Sequence, residues 1–318
     1  MQTGLWMFLK LNNMSFPKII SHSFFALGTS IDIQIVTRSV EESEKIQTLF
    51  QDVEGKYAWY EKILSRFDSD SELSKINDTQ DFLEVSPVLQ EVAEKSLRYH
   101  KETSGMFDPR ILNILESVGY DRTFEKINES QRKEILENLS IPLEQDLQTV
   151  GNRICVLKRV DFSGIGKGYV TDKIVEYVKL SGFYDFIVDS GGDMFVSGKN
   201  HDGHLWTIDI EGAPQSLIFS VEEMGIATSG ITRRKWSKGD ERFHHLINPL
   251  NPAFFDFNLK SVTVMAENTE RADVWAKVLY LHGIENGLRV ANEKRIPCVF
   301  LDYRGNSWLS TAAKRFHI

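Results

Sequence analysis

Hydrophobic and polar positions along this chain switch repeatedly between a period of two and a helical period. Ile31, Ile33 and Ile35 alternate with Asp32 and Gln34, which predicts a half-buried strand after the turn at Gly28. Ser39 and Glu42 stand at capping-box spacing. Ile46, Leu49, Phe50, Val53 and Tyr57 then recur on one helical face, predicting a helix that runs to about Leu64. Ser86-Pro87 opens another helix with proline at its favoured first position, and Val88, Leu89, Val92, Ala93 and Leu97 share a face. Residues 121–148 read as a charged surface helix and loop. Further strands are predicted at 153–162, 195–198, 206–210, 261–266 and 296–301. Asn268 or Thr269 caps a helix that Gly283 ends. Strands and helices mix without strict βαβ alternation, and no repeat or linker divides the chain, so the fold class is α+β.

One stretch breaks these patterns. Residues 160–193 place Asp161 at the end of an apolar lead-in, then SGIGKG over 163–168, a helix, the apolar run Phe186-Ile187-Val188, and Gly191-Gly192-Asp193. Glycines let backbone approach a ligand, and N–H groups at a helix start attract anions. The stretch is therefore either a phosphate cradle with Lys167 as its cation or an ordinary glycine-rich strand–helix turn. It is not a P-loop, since Tyr169 follows Gly168 and no hydroxyl is placed for magnesium. Asp189 and Asp193 suit either a structural turn or a site. Asp273 and Lys277 share one helix face at i and i+4, the spacing of a surface ion pair. His244 and His245 cannot point the same way on a strand, which argues against a two-histidine metal site and makes one of them a candidate acid, base or phosphate donor. Thr228-Ser229-Gly230 offers hydroxyls in what is otherwise a polar turn.

Composition narrows the partners. Among 318 residues 42% are hydrophobic, ample for a packed core, and the net charge of −8 argues against a nucleic-acid backbone binder. The two cysteines, Cys155 and Cys298, lie in apolar runs without metal-ligand spacing and read as buried thiols. The start has no apolar run long enough to span a bilayer and no lipid-anchor cysteine, which leads to the expectation of a cytoplasmic protein with no membrane span.

The order of these pieces resembles the ApbE family, the FAD:protein FMN transferases once described as thiamine-biosynthesis lipoproteins. Ala26-Leu27-Gly28-Thr29 is similar to the family's MGT strand, and residues 65–77 (SRFDSDSELSKIN) to its serine-rich segment. Gly105-Met106-Phe107-Asp108-Pro109 matches GAFDP, residues 160–172 its aspartate-to-glycine signature, and Gly191-Gly192-Asp193 its GGD. Ala227-Thr228-Ser229-Gly230, His245-Leu246-Ile247-Asn248-Pro249 and Ala272-Asp273 follow in the family's order. The resemblance implies an N-terminal extension over 1–21 and a single T-fold-like domain over 22–318. That domain would bind FAD and move FMN to a threonine or serine of an acceptor protein, releasing AMP, with Mg2+ bridging phosphate oxygens.

By the same resemblance, Asp161 would bind the adenosine end, Lys167 the flavin or phosphates, and Met106, Phe107 and Asp108 the adenine side. Leu27, Phe67 and Ile247 would make apolar or stacking contacts, and Thr228 would line the cofactor. The Gly164 carbonyl and Asp273 carboxylate would hold the metal, and His245 and Asp273 would be catalytic. The departures are specific. The family's threonine four residues after the metal aspartate is Lys277, its Asp-Tyr after ATSG is Ile231-Thr232, and its later Arg-Thr-Gly is Leu250-Asn251-Pro252. The alternative these departures raise is a divergent member that binds or slowly hydrolyses FAD without modifying protein.

Overall fold

The alternation at Ile31, Ile33 and Ile35 is realised as the second strand of a hairpin, and all three side chains are fully buried. The computed structural model of the chain describes residues 16–120, 139, 141–213, 217–232, 234–238 and 241–318. Strands β1 (Lys18–Ala26) and β2 (Thr29–Thr37) lead into α1 (Val40–Leu64), so ordered chain begins within the segment set aside as an extension. Ser39 caps α1 by accepting the Glu42 N–H, as the capping box predicts, and the five apolar positions read from the sequence are all buried. Next come α2 (Glu72–Asn77), β3 (Leu83–Glu84), α3 (Pro87–Glu102), α4 (Leu112–Ser117) and α5 (Leu143–Asp146). Residues 121–138 of the charged surface stretch lie outside the described residues. Strand β5 (Arg153–Val156) pairs with both β3 and β4 (Leu147–Val150) in a small sheet.

The long helix α6 (Ser163–Leu180) is followed by β6 (Phe186–Ser190), β7 (Met194–Ser197), β8 (Trp206–Asp209), β9 (Ile218–Val221) and β10 (Met224–Gly230). After the hairpin β11 (Lys235–Lys238) and β12 (Glu241–His244) come β13 (Leu259–Ala266), α7 (Thr269–Glu293), β14 (Cys298–Asp302) and β15 (Ser307–Leu309). Eight strands form one antiparallel sheet in the order β1-β2-β6-β7-β10-β13-β14-β15. Its two faces pack differently. Ala227, Val262 and Val264 join Ile31, Ile33, Ile35 and the apolar faces of α1, α6 and α7 in the larger core. Ile226 and Met265, one residue out of phase, join Val196 and Val299 on the other face, covered by Trp206, Phe219 and Val221 of the β8–β9 hairpin.

One expectation needs correction. The stretch 163–168, read from its glycines as a loop, is itself the start of α6. Asp161 Oδ1 accepts the Ser163 N–H at 2.8 Å, and the Phe162 carbonyl accepts those of Ile165 and Gly166 at 3.0 and 2.7 Å, so helix begins at once. The reason for glycine is a neighbour: a Cβ on Gly168 would stand 2.6 Å from the Glu270 Cα and 2.7 Å from the Thr269 carbonyl. Gly283, at φ 70° and ψ −179°, ends the helix that Asn268 caps, as the sequence predicts; a second helical half follows it and completes the span of α7 to Glu293.

Where α6 and α7 cross, Asp172 accepts the N–H groups of Thr269 and Glu270 at 2.8 and 2.9 Å, and Asn268 accepts that of Arg271. A residue of one helix therefore caps the other. Burial pushes the Asp172 carboxyl up to about 6 against the pull of those N–H groups. Asp172→Ala, which strands both donors, is expected to lower the unfolding free energy by about 2 kcal/mol. Gly168→Ala is expected to cost about 1–3 kcal/mol through overpacking. Urea unfolding, read at unchanged slope, checks both.

Candidate active site

The crossing of α6 and α7 sets two lysines against two buried carboxylates. Lys167, in the second turn of α6, forms an ion pair with Asp193 from the turn between β6 and β7. In that turn Asp189 Oδ1 accepts the Gly192 N–H at 2.6 Å. Asp273, 1% exposed on α7, accepts the Gly168 N–H at 3.3 Å and is ion-paired with Lys277 one turn further on. The Lys277 Nζ also lies 3.4 Å from the Asp273 carbonyl. Gly164 fits between them: a Cβ there would stand 3.7 Å from the Lys277 Cδ and 3.2 Å from the Phe107 ring. Both lysine side chains stay partly exposed, at 19% and 18%. The Asp273–Lys277 pair has surface spacing and a buried carboxylate. Its place is the site, not solvent.

The surrounding charges interact. Burial is the largest influence on Lys167, and with Lys277 and Arg234 it outweighs Asp273 and Asp189, pushing the ammonium down to about 8. His245 lies with its ring Nδ1 3.3 Å from the Arg234 carbonyl, to which that nitrogen donates, leaving Nε2 with a free lone pair. Burial, then the Arg234 charge, holds the imidazole well below its ordinary value, so it is neutral at pH 7. Its neighbour His244 faces the other way, as the alternation predicts. It is buried edge-on to Phe255 and Phe257, bonded to the Asp256 carbonyl at 3.1 Å, and burial lowers it to about 4. Thr228 is exposed on β10, its hydroxyl 2.9 Å from that of Thr263.

The remaining expected residues divide into two groups. Phe67 is 45% exposed, with the Arg66 guanidinium 4.1 Å above its ring and 4.6 Å from that of Tyr120. Arg66 Nε in turn lies 3.2 Å from Asp161 Oδ2, both side chains nearly inaccessible, and Arg66 donates to the Tyr120 carbonyl at 3.2 Å. Asp161 is thus tied to a guanidinium as well as to the start of α6. Arg66 was not singled out in the sequence, because nothing local distinguishes an arginine beside an exposed phenylalanine. Ile247 is buried beside this wall in a small cluster with Ile114, Leu115 and Trp236. Leu27, with φ 52°, forms the β1–β2 turn together with Gly28 and is half-buried against the main core.

Asp108 belongs to a different structure. Arg110, itself 1% exposed, donates to Asp108 at 2.6 Å and to Asp146 at 2.5 Å, and His100 Nδ1 lies 3.5 Å from the same Asp108 oxygen. Its carboxylate is committed to a buried ion-pair network, unlike the expectation that it lines a ligand. Met106 and Phe107 are buried, and Phe107 meets Gly164.

The expected metal pair, Gly164 and Asp273, does not fit a divalent cation. An ammonium already holds Asp273, and among the described residues no cluster of three or more His, Cys, Asp or Glu side chains could bind one. A divalent ion about 4 Å from that ammonium would be repelled by roughly 8 kcal/mol at an effective dielectric constant of about 20.

A family model described as the ApbE family matches residues 27–300. The chain is 28% identical over 298 residues to the FAD:protein FMN transferase of Escherichia coli K12, covering 88% of this chain and 82% of that protein. It is 24% identical over 322 residues to the Haemophilus influenzae protein of the same name, covering 94% and 91%. Among solved structures, the flavinyl transferase ApbE of Pseudomonas stutzeri superposes with a TM-score of 0.82 at 23% identity, over 95% of this chain and 98% of that one. The ApbE protein of Thermotoga maritima does so at 0.83 and 21%, over 95% and 100%. These likenesses are to the same α+β fold.

Two substitutions separate scaffold from site. Asp108→Ala leaves Arg110 short of a partner in the interior and is expected to cost about 3–5 kcal/mol of stability. Thr228→Val, at an exposed strand position, is expected to change it by less than about 1 kcal/mol. Thermal unfolding of both variants checks the contrast.

Proposed function

Because this chain belongs to the ApbE family, we propose that it is an FAD:protein FMN transferase, binding FAD between the α6–α7 crossing and the Arg66–Phe67–Tyr120 wall. The observation that carries the reading is the convergence of Lys167, Lys277 and the neutral His245 on one partly open site. A pyrophosphate needs cations that water does not screen, and both ammonium groups are held by buried carboxylates. The exposed Phe67 face suits a flat ring, and its stacked guanidinium stiffens it.

The reaction we infer is displacement at phosphorus. The hydroxyl oxygen of an acceptor threonine or serine bonds to the FMN phosphorus, and the bond from that phosphorus to the bridging oxygen breaks. AMP leaves with that oxygen. The hydroxyl proton passes to His245 Nε2, whose tautomer is set by the Nδ1 bond to the Arg234 carbonyl. A neutral imidazole is required for this, and the Arg234 charge helps to keep it so. Lys167 neutralises phosphate oxygens and orients the chain of the dinucleotide. The roles of Asp161 and Asp273 follow from their partners: each holds a cation, Arg66 and Lys277 respectively, at the edge of the site.

Incubation with FAD and an acceptor protein, followed by denaturing gel electrophoresis, is expected to give a fluorescent acceptor band together with AMP. Free FMN and AMP without that band would instead identify a hydrolase. Lys167→Met is expected to weaken FAD binding by about 10- to 100-fold, the loss of one charge-assisted hydrogen bond. In the unmodified chain Lys167 supports binding while protonated, so affinity should hold below about 8 and fall as pH rises through that range. The bound anion moves the midpoint upward, and Lys167→Met removes the titration. Fluorescence titration across pH measures both.

A further inference from the structure

We propose that Lys277 supplies, from within the chain, the positive charge that a divalent cation would otherwise bring, so that FAD is bound and cleaved without a metal ion. This rests on the reading of FAD as substrate.

Charge count is the first support. Around the crossing stand three cations, Lys167, Lys277 and Arg234, and three carboxylates, Asp189, Asp193 and Asp273, whose influences all reach Lys167 or its ion pair. The set is balanced as it stands. With a neutral side chain at position 277 it would carry one uncompensated negative charge, on a carboxylate that is 1% exposed. A buried carboxylate in that condition either takes a proton or recruits a cation.

Geometry is the second support. An ammonium has three N–H donors. The Asp273 Oδ1 and the Asp273 carbonyl draw two of them, and the side chain remains 18% exposed, which leaves a third for a phosphate oxygen. The stem of Lys277 lies along Gly164, where a Cβ would stand 3.7 and 3.8 Å from its Cδ and Cε. The glycine leaves room for the lysine and the aspartate fixes its end, so the cation is pre-positioned rather than mobile. Lys277 exchanges no proton in the reaction. It offsets charge on the phosphoryl oxygens while the new oxygen–phosphorus bond forms and AMP departs.

The test uses the full chain freed of metal, with FAD binding read by flavin fluorescence and cleavage by AMP release, in EDTA and in excess magnesium. The unmodified chain is expected to change by less than about twofold between the two conditions, whereas Lys277→Thr should lose at least about tenfold in EDTA, the scale of one charged contact. Magnesium should restore Lys277→Thr and raise its melting temperature, and should leave the melting temperature of the unmodified chain unmoved. Lys277→Gln serves as a second variant should the threonine variant unfold, and it too should lose binding in EDTA and regain it in magnesium. A tenfold or greater gain by the unmodified chain in magnesium overturns the proposal while leaving the FAD reading intact. Equal behaviour of the unmodified chain and Lys277→Thr in EDTA also overturns it. Absence of FAD binding in either condition defeats the FAD reading and this proposal with it.

Discussion

Everything at the site depends on how closely α6 approaches α7. The contact is made at Gly168, where no side chain fits, and it is held by Asp172 accepting the first N–H groups of α7. One turn before Asp172, the Gly168 N–H meets Asp273. The same few residues therefore close the core and aim the carboxylate. Moving the helices apart by the width of a methyl group would part the Gly168 N–H from Asp273 and Gly164 from the Lys277 stem together, so stability and geometry are coupled here.

That coupling decides what the sequence reveals. The strand at Ile31, the capped helix from Ser39 and the proline-led helix from Ser86 were legible because each depends on residues within one or two turns. Membership of an α+β family was legible from ordered motifs that span most of the chain. The start of α6 was not, because its glycines answer to a helix about a hundred positions away. Asp172, Arg66 and Arg110 escaped for the same reason: their partners at Thr269, Asp161 and Asp146 are set by tertiary structure. The Asp273–Lys277 pair has the spacing of a surface ion pair, and spacing carries no information about burial.

The two sheet faces also divide the labour. The face toward the helices is continuous with the site, while the face beneath the β8–β9 hairpin carries Trp206 and Phe219 in a separate apolar cluster. His244 and His245 show the same division over two residues, one ring in an aromatic cage and the next beside Arg234. Of the candidates, Thr228 is in phase with Ile226 and so lies on the face away from the helices, bonded to Thr263 rather than joined to the α6–α7 crossing.

The break at Gly283 has a mechanical meaning. A continuous rod of 25 residues would carry any adjustment at its far end back to Asp273 and Lys277. Beyond the break, α7 packs by Gly287 against Phe300 of β14, and Asn292 accepts the Thr311 N–H, so its second half belongs with the closing strands. A single residue outside helical space redirects the chain, and Gly287 lets the second half lie close against the Leu279 carbonyl of the first. The half that bears the charged pair is thus braced by its own continuation rather than prolonged by it.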